Sequence, residues 1–187
     1  MKEQAAPSVV CLGFFDGVHR GHRALLQAAR EIAAAEGLCV CAHTFDHAPG
    51  NKDFELTTLS EREALLRSAG ADRVAISVFD ENMRHMSGED FFSQVVLQKL
   101  GARHVVCGDD HRFGYRGACG VAELREMCQR NGVGLTVVPP ITLDDGTRVS
   151  SSAIRRALQQ GNWALAEGML GRELPDRLKH APESNNP

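Results

Sequence analysis

Aromatic residues are scarce in this 187-residue chain, with eight Phe, one Tyr and one Trp, and the net charge is only −3. A chain so evenly charged has no overall basic field to draw nucleic acid or anionic lipid. No basic patch with interleaved aromatics runs along it either, so nucleic acid is not an expected partner. No apolar run approaches the roughly 20 residues that span a bilayer. The start, Met1-Lys2-Glu3-Gln4, has no apolar signal-peptide stretch. A membrane is therefore not expected as a partner, and a cytoplasmic location is. The six cysteines contain no Cys-x-x-Cys pair and no spacing that suits zinc. Cys11, Cys39, Cys41 and Cys107 fall inside apolar runs, while Cys119 and Cys128 sit in a loop and a helical pattern. All six read as reduced thiols, and most of them as small core hydrophobes.

The chain alternates between two periodicities. Apolar, strand-like runs fall at Val9–Leu12, Leu38–Thr44, Val74–Val78, His104–Cys107 and Leu135–Val138. Helical patterns lie between them at His22–Glu36, Ser60–Ala69, Gly88–Lys99 and Val121–Asn131. Gly37, Gly70, Gly101 and Gly132 follow these helices as C-terminal stops. Ser60 and Ser87 are expected as N-caps, with Glu63 and Asp90 three residues on. Strands and helices that alternate through short links imply a Rossmann-like, doubly wound parallel five-stranded sheet with helices on both faces. One domain is expected over residues 8–172, followed by a polar tail over 173–187.

In such a fold, ligands bind beyond the carboxyl ends of the strands. Three clusters fall there. The first is Gly13-Phe14-Phe15-Asp16-Gly17-Val18-His19-Arg20-Gly21-His22, between the first strand and the first helix. A glycine-punctuated turn into a helix N-terminus presents free N–H groups to phosphate. His19 and His22 can add imidazole donors where charge builds on a transferring phosphoryl group. The second cluster is His43–Pro49, where Asp46 is either a turn residue or an aid to magnesium. The third is Gly108-Asp109-Asp110-His111-Arg112-Phe113-Gly114. There Asp110 suits a ribose hydroxyl and Phe113 a planar ring, or they are a capping aspartate and a core aromatic. A fourth cluster, Arg148-Val149-Ser150-Ser151-Ser152-Ala153-Ile154-Arg155-Arg156, opens a late helix. Its hydroxyls, N–H groups and arginines make a second anion cradle.

Taken in order, these residues resemble the adenylyltransferase module of bacterial FAD synthetases, members of the HxGH nucleotidyltransferase superfamily. His19-Arg20-Gly21-His22 is that signature, and the likeness continues through Thr44-Phe45-Asp46, Leu56-Thr57-Thr58-Leu59-Ser60-Glu61-Arg62, Gly108–Gly114 and Val149–Leu158. The resemblance implies a nucleotidyltransferase-type sheet and transfer of AMP from ATP to FMN, giving FAD and pyrophosphate with Mg2+. Implied catalytic residues are His19, His22, Arg148, Ser151 and Ser152. ATP would meet Gly13, Phe14, Phe15, Gly17, His19, Gly21, His22, Asp110, Arg148, Ser151, Ser152 and Arg155. FMN would meet Phe45, Asp46, Pro49 and Phe113. No direct metal ligand is implied; Mg2+ would ride on the phosphates, with Asp46 as an option.

The sequence also departs from the family pattern. The family's Thr-Phe-Asp-Pro-His-Pro is here Thr44-Phe45-Asp46-His47-Ala48-Pro49. His111 stands where an aromatic is usual, and Ser152 where threonine is. The polar stretch after Gly171 is too short for the riboflavin kinase module of bifunctional members. The resemblance thus implies a separate riboflavin kinase as metabolic partner. Two other readings are a same-superfamily transferase acting on another phosphorylated metabolite, and a non-catalytic flavin- or nucleotide-binding module.

Overall fold

The computed structural model describes residues 6–50 and 54–179. Five strands, β1 (Ser8–Leu12), β2 (Cys39–Phe45), β3 (Arg73–Ser77), β4 (Ala102–Gly108) and β5 (Gly134–Val138), form one sheet in the order β3-β2-β1-β4-β5. Every pairing is parallel, with Leu12 opposite His43 and Cys11 opposite Val106. The doubly wound sheet expected from the alternating pattern is the sheet found. Its direction of winding reverses between β1 and β4, so the loops after these two strands border the crevice at the switch point.

Side chains alternate across the sheet, which sets up two cores. Val10, Leu12, Cys41, Val105 and Cys107 face the helical segments Gly88–Lys99 and α5 (Val121–Arg130), burying Phe92, Val96 and Leu124. Val9, Cys11, Val40, Ala42 and Val106 face α1 (Arg20–Glu36) and α2 (Leu59–Ser68), burying Leu26, Ala29 and Leu66. Because both faces are covered, the strands read as continuous apolar runs. The cysteines serve this packing: all six are free, and Cys11, Cys41, Cys107 and Cys128 are buried. Burial pushes the Cys107 thiol up to about 12 and that of Cys128 to about 11, so both stay protonated.

Several local expectations need correction. The cap of α2 is Thr58, not Ser60: Thr58 Oγ1 accepts from Glu61 N–H at 3.2 Å, and Glu61 Oε2 accepts from Thr58 N–H at 2.8 Å. This reciprocal pair satisfies two orphan donors at once, and it leaves Ser60 inside the first turn. Ser87 does cap α4 (Gly88–Asp90), but the expected α-helix continues as a π-helical stretch, Phe91–Lys99. Three helices were not foreseen: α3 (Glu81–His85), α7 (Trp163–Leu170) and α8 (Asp176–Lys179). The residues expected to begin a polar tail are instead packed. Leu174 and Leu178 are buried with α6 (Ser151–Gln159) and α7 in a third core around Ile154 and Met169. Residues 180–187 of that tail lie outside the described residues.

Candidate active site

The loop from β1 to α1 is tightly constrained. Phe15 and Val18 adopt positive φ, 59° and 39°, in a region that non-glycine residues seldom enter. Both side chains are buried, and that burial offsets the backbone strain. A Cβ at Gly13 would lie 3.1 Å from the Phe15 ring, a crowded contact that glycine avoids. His19 then caps α1, its Nδ1 accepting from His22 N–H at 3.3 Å. The two imidazoles stack with centroids 3.6 Å apart and an interplanar angle of 19°. A Cβ on Gly21 would come within 3.1 Å of His19 Cε1 and Nδ1. The glycine of the HxGH sequence therefore leaves room for the first imidazole to fold back onto the helix start.

Burial, aided by the positive charges of Arg172 and Arg23, lowers the His19 pKa to about 4. At neutral pH the ring carries one proton. With Nδ1 accepting from the backbone, that proton is assigned to Nε2, leaving a neutral N–H donor.

His19 and His22 line a cleft of about 410 Å³ beyond the ends of β1, β4 and β5. Gly13, Phe14, Phe15 and Gly21 form one wall of it. Asp110 lies on the wall after β4, and Arg148, Ser151, Ser152 and Arg155 on the wall at the start of α6. The first and third clusters that the sequence placed at strand ends thus meet the fourth, at the start of α6, in one cleft, and the second cluster, His43–Pro49, does not line it.

The cleft residues differ in how free they are to bind a ligand. Gly17 does not line the cleft. Its N–H donates to Thr57 Oγ1 at 3.1 Å and its carbonyl accepts from Arg172 at 2.7 Å, so its part is to shape the loop. Arg155 touches the cleft but is largely committed elsewhere: Nε donates to Phe54 O at 2.7 Å, and Nη2 pairs with the buried carboxylate of Asp16. Ser151 Oγ donates to Asp16 O at 2.8 Å, and Ser150, not Ser151, is the helix cap. Ser152 is exposed at the first turn of α6. Arg148 bridges Asp109 and Asp110 at 2.8 and 3.3 Å, tying the β4 loop to the segment before α6.

A second cavity, about 790 Å³, opens on the other side of Phe14. Phe45, Pro49 and Phe113 line it, together with Phe79, Met83, Met86, Phe91 and Tyr115. Leu12, Gly13, Phe14, His111 and Arg112 line both cavities and make a shared wall. Asp46 lines neither. Its Oδ1 accepts from the N–H groups of His47 and Phe79, both at 2.9 Å, and so it holds the turn after β2 to the turn after β3. That is the turn role the sequence also allowed for Asp46.

Sequence reasoning gave two residues no role. Arg62 is wholly buried in α2. Its Nη1 donates to Phe14 O, Thr44 Oγ1 and Phe45 O at 3.0–3.2 Å, and its guanidinium lies 4.0 Å from the Phe14 ring centroid. It fixes the partition between the cavities. Asp16 accepts through Oδ1 from Leu56 N–H, Thr57 N–H and Thr57 Oγ1 at 2.8–3.2 Å. The signal for Arg62 was its position: it shares the inward stripe of α2 with Leu66, four residues on, where only a paired cation can sit.

The donor set suits magnesium only as a companion of phosphate. No group of three or more His, Cys, Asp or Glu among the described residues is placed to hold a metal. The cleft offers Asp109 and Asp110, both already facing Arg148. Mg2+ commonly keeps its waters and binds through substrate phosphates with one or two carboxylates. No described helix is long and apolar enough to cross a membrane.

A parallel sheet carrying an HxGH helix start and a serine-opened helix on one cleft defines an α/β domain of the nucleotidyltransferase type. Comparison narrows this: a family model described as FAD synthetase matches residues 1–153, and the chain belongs to that family. A bifunctional riboflavin kinase/FMN adenylyltransferase of Pseudomonas fluorescens is 38% identical over 173 residues, 88% of this chain and 54% of that protein. The protein of the same name from Escherichia coli K12 is 33% identical over 183 residues, covering 94% and 58%. The chain thus spans little more than half the length of these relatives, on their adenylyltransferase side. Among solved structures, one titled a macrolide-efflux protein from Streptococcus pneumoniae superposes with a TM-score of 0.81 at 27% identity, over 92% of this chain and 59% of that one. A pantoate-beta-alanine ligase from Francisella tularensis, at 14% identity and TM-score 0.53 over 91% of this chain and 72% of that one, shares the fold.

Proposed function

We propose that this domain transfers AMP from Mg–ATP to FMN, releasing pyrophosphate and forming FAD. The observation that carries the reading is the pair of adjoining cavities divided by Phe14. The smaller carries histidines, serines and arginines and opens on two helix N-termini; the larger is lined mostly by aromatics and methionines. A triphosphate suits the first and a flavin ring the second. The reacting phosphates would meet at the shared wall. There an FMN phosphate oxygen attacks the α-phosphorus in line: one P–O bond forms, the bond to the β-phosphate bridge breaks, and pyrophosphate leaves. No covalent nucleophile is required of the protein.

The neutral His19 Nε2–H and the His22 ring would donate to the phosphate oxygens on which charge builds. Donors fixed before the reaction need no reorganisation during it. The N–H groups and Ser152 hydroxyl at the start of α6 would hold the leaving end. Arg148 would turn from Asp109 and Asp110 toward the polyphosphate, freeing Asp110 for the ribose. Magnesium bound to the phosphates would supply neutralising charge. FMN would reach the site already phosphorylated, by a riboflavin kinase activity assigned to none of the described residues. The buried free cysteines suit the reducing cytoplasm as the compartment.

Product chromatography after incubation with ATP, magnesium and FMN tests the reading, with riboflavin, CTP and other phosphorylated acceptors as controls. FAD is expected from FMN and ATP alone; a product from another acceptor and none from FMN would overturn it. His19→Ala and His22→Ala should each lower kcat by roughly 10²–10³ with the circular dichroism spectrum unchanged. A wild type that binds both ligands but never releases pyrophosphate would identify a binding module instead.

A further inference from the structure

His111 sits in the wall common to both cavities, between Asp110 and Arg112 in the loop after β4. Its ring lies parallel to that of Phe113, with centroids 5.7 Å apart and an interplanar angle of 16°. The Nε2 atom is enclosed and has no hydrogen-bond partner among the described residues. Such atoms are rare in folded proteins, because an enclosed polar group without a partner is destabilising.

The contrast with other buried polar groups sharpens the point. Arg62 and Arg73 each leave Nε without a partner, but both are held through their terminal nitrogens, Arg73 through Leu100 O at 2.9 Å. His43, the other buried imidazole of the larger cavity, has its Nε2 3.0 Å from Ser77 Oγ. The His111 ring makes no hydrogen bond at all with the described residues. Burial holds its pKa near 4, against the opposing pull of Asp110, so the ring is neutral and carries a single N–H.

We infer that His111 is a substrate-binding residue whose ring nitrogen finds its partner only in the complex, as a hydrogen-bond donor to the phosphate of the flavin substrate. The inference rests on the adenylyl-transfer reading above, which brings that phosphate to the wall His111 shares with Phe14. A half-turn of the ring about its Cβ–Cγ bond keeps the plane of the stack on Phe113 and exchanges the positions of Nε2 and Cε1. The stack is therefore compatible with either edge of the ring meeting the ligand. Without a partner the enclosed nitrogen costs stability, which a bound phosphate would restore.

Flavin fluorescence titrations with FMN and with riboflavin, which lacks the phosphate, test this without turnover. His111→Phe keeps the stacking ring and removes the donor. It should weaken FMN binding roughly ten-fold or more, leave riboflavin binding unchanged, and raise the melting temperature of the unliganded protein by about 2–4 °C. His111→Gln, whose amide nitrogen can take the place of Nε2, should restore most of the preference for FMN; His111→Asn, with a shorter reach, should not. Should His111→Phe fail to fold, the Gln and Asn pair carries the test. Equal weakening of FMN and riboflavin, or no change in either, would overturn the inference and assign the nitrogen to an enclosed water or to packing. A wild type that makes FAD while His111→Phe binds FMN normally would overturn it alone. A wild type that binds no FMN would overturn it together with the proposed function.

Discussion

His19, His43 and His111 are imidazoles that the fold keeps neutral by enclosing them, and the consequence is a sign-definite dependence on pH. Burial lowers the pKa of His19 and His111 to about 4 and that of His43 to about 3, from an ordinary value of 6.5. Between those limits the unfolded chain binds more protons than the folded one, so folding stability falls as pH falls. The stabilising contribution is whole above pH 6.5 and is lost on the way through pH 4 to 3, by up to roughly 1.4 kcal/mol per pH unit for each group fully engaged. Urea midpoints measured from pH 7 to pH 4 should drop steadily over this window. His43→Gln, which removes the group with the lowest pKa, should flatten the lower part of the curve. A midpoint constant across the window would mean these rings are solvated.

At the scale of elements, Asp16 joins pieces of chain distant in sequence. It accepts from the Leu56–Thr57 segment before α2, pairs with Arg155 of α6, and takes Ser151 Oγ on its carbonyl. With Asp16 at 1% exposure and the Arg155 side chain at 9%, neither charge has water to fall back on. Asp16→Asn should therefore cost about 3 kcal/mol in urea denaturation, because it leaves a buried guanidinium without its counter-charge. The double variant Asp16→Asn/Arg155→Met should recover part of that loss; a double variant no more stable than Asp16→Asn would contradict this account. Such ties explain which parts of the molecule were legible in the sequence. The five strands were, because burial on both faces writes each one as an apolar run, and so were HxGH and the serine-opened helix, whose chemistry is local. The short α3, with no buried residue, and α7, apolar on nearly every side, carry no one-sided stripe to read. Asp16, Arg62 and Arg155 look like surface charges until the fold brings their partners to them. Asp46 stayed ambiguous for the same reason: a carboxylate beside a strand end is equally able to hold a turn or a ligand.

For the molecule as a whole, the C-terminal segment completes the site from behind. After α7 the chain turns back, and Arg172 donates to Gly17 O at 2.7 Å and Val18 O at 3.3 Å, clamping the strained loop that ends in His19. Leu174 and Leu178 bury themselves in the third core, and Arg177 reaches Leu56 O at 2.6 Å and pairs with Glu61. Ending the chain at Gly171 removes all of this. Two buried leucines alone correspond to about 3 kcal/mol, or a melting temperature roughly 6–12 °C lower. FAD formation should fall with it. Arg172→Met separates the clamp from the packing, since it keeps an apolar stem and deletes the donors and the charge. Because burial is the larger cause of the His19 shift and Arg172 the next, the His19 pKa in this variant should rise from about 4 yet stay below 6.5. Histidine titration by NMR reads that shift directly. A slower adenylyl transfer with the pKa raised would show that the segment acts through His19, whereas a pKa left near 4 would reduce it to packing alone.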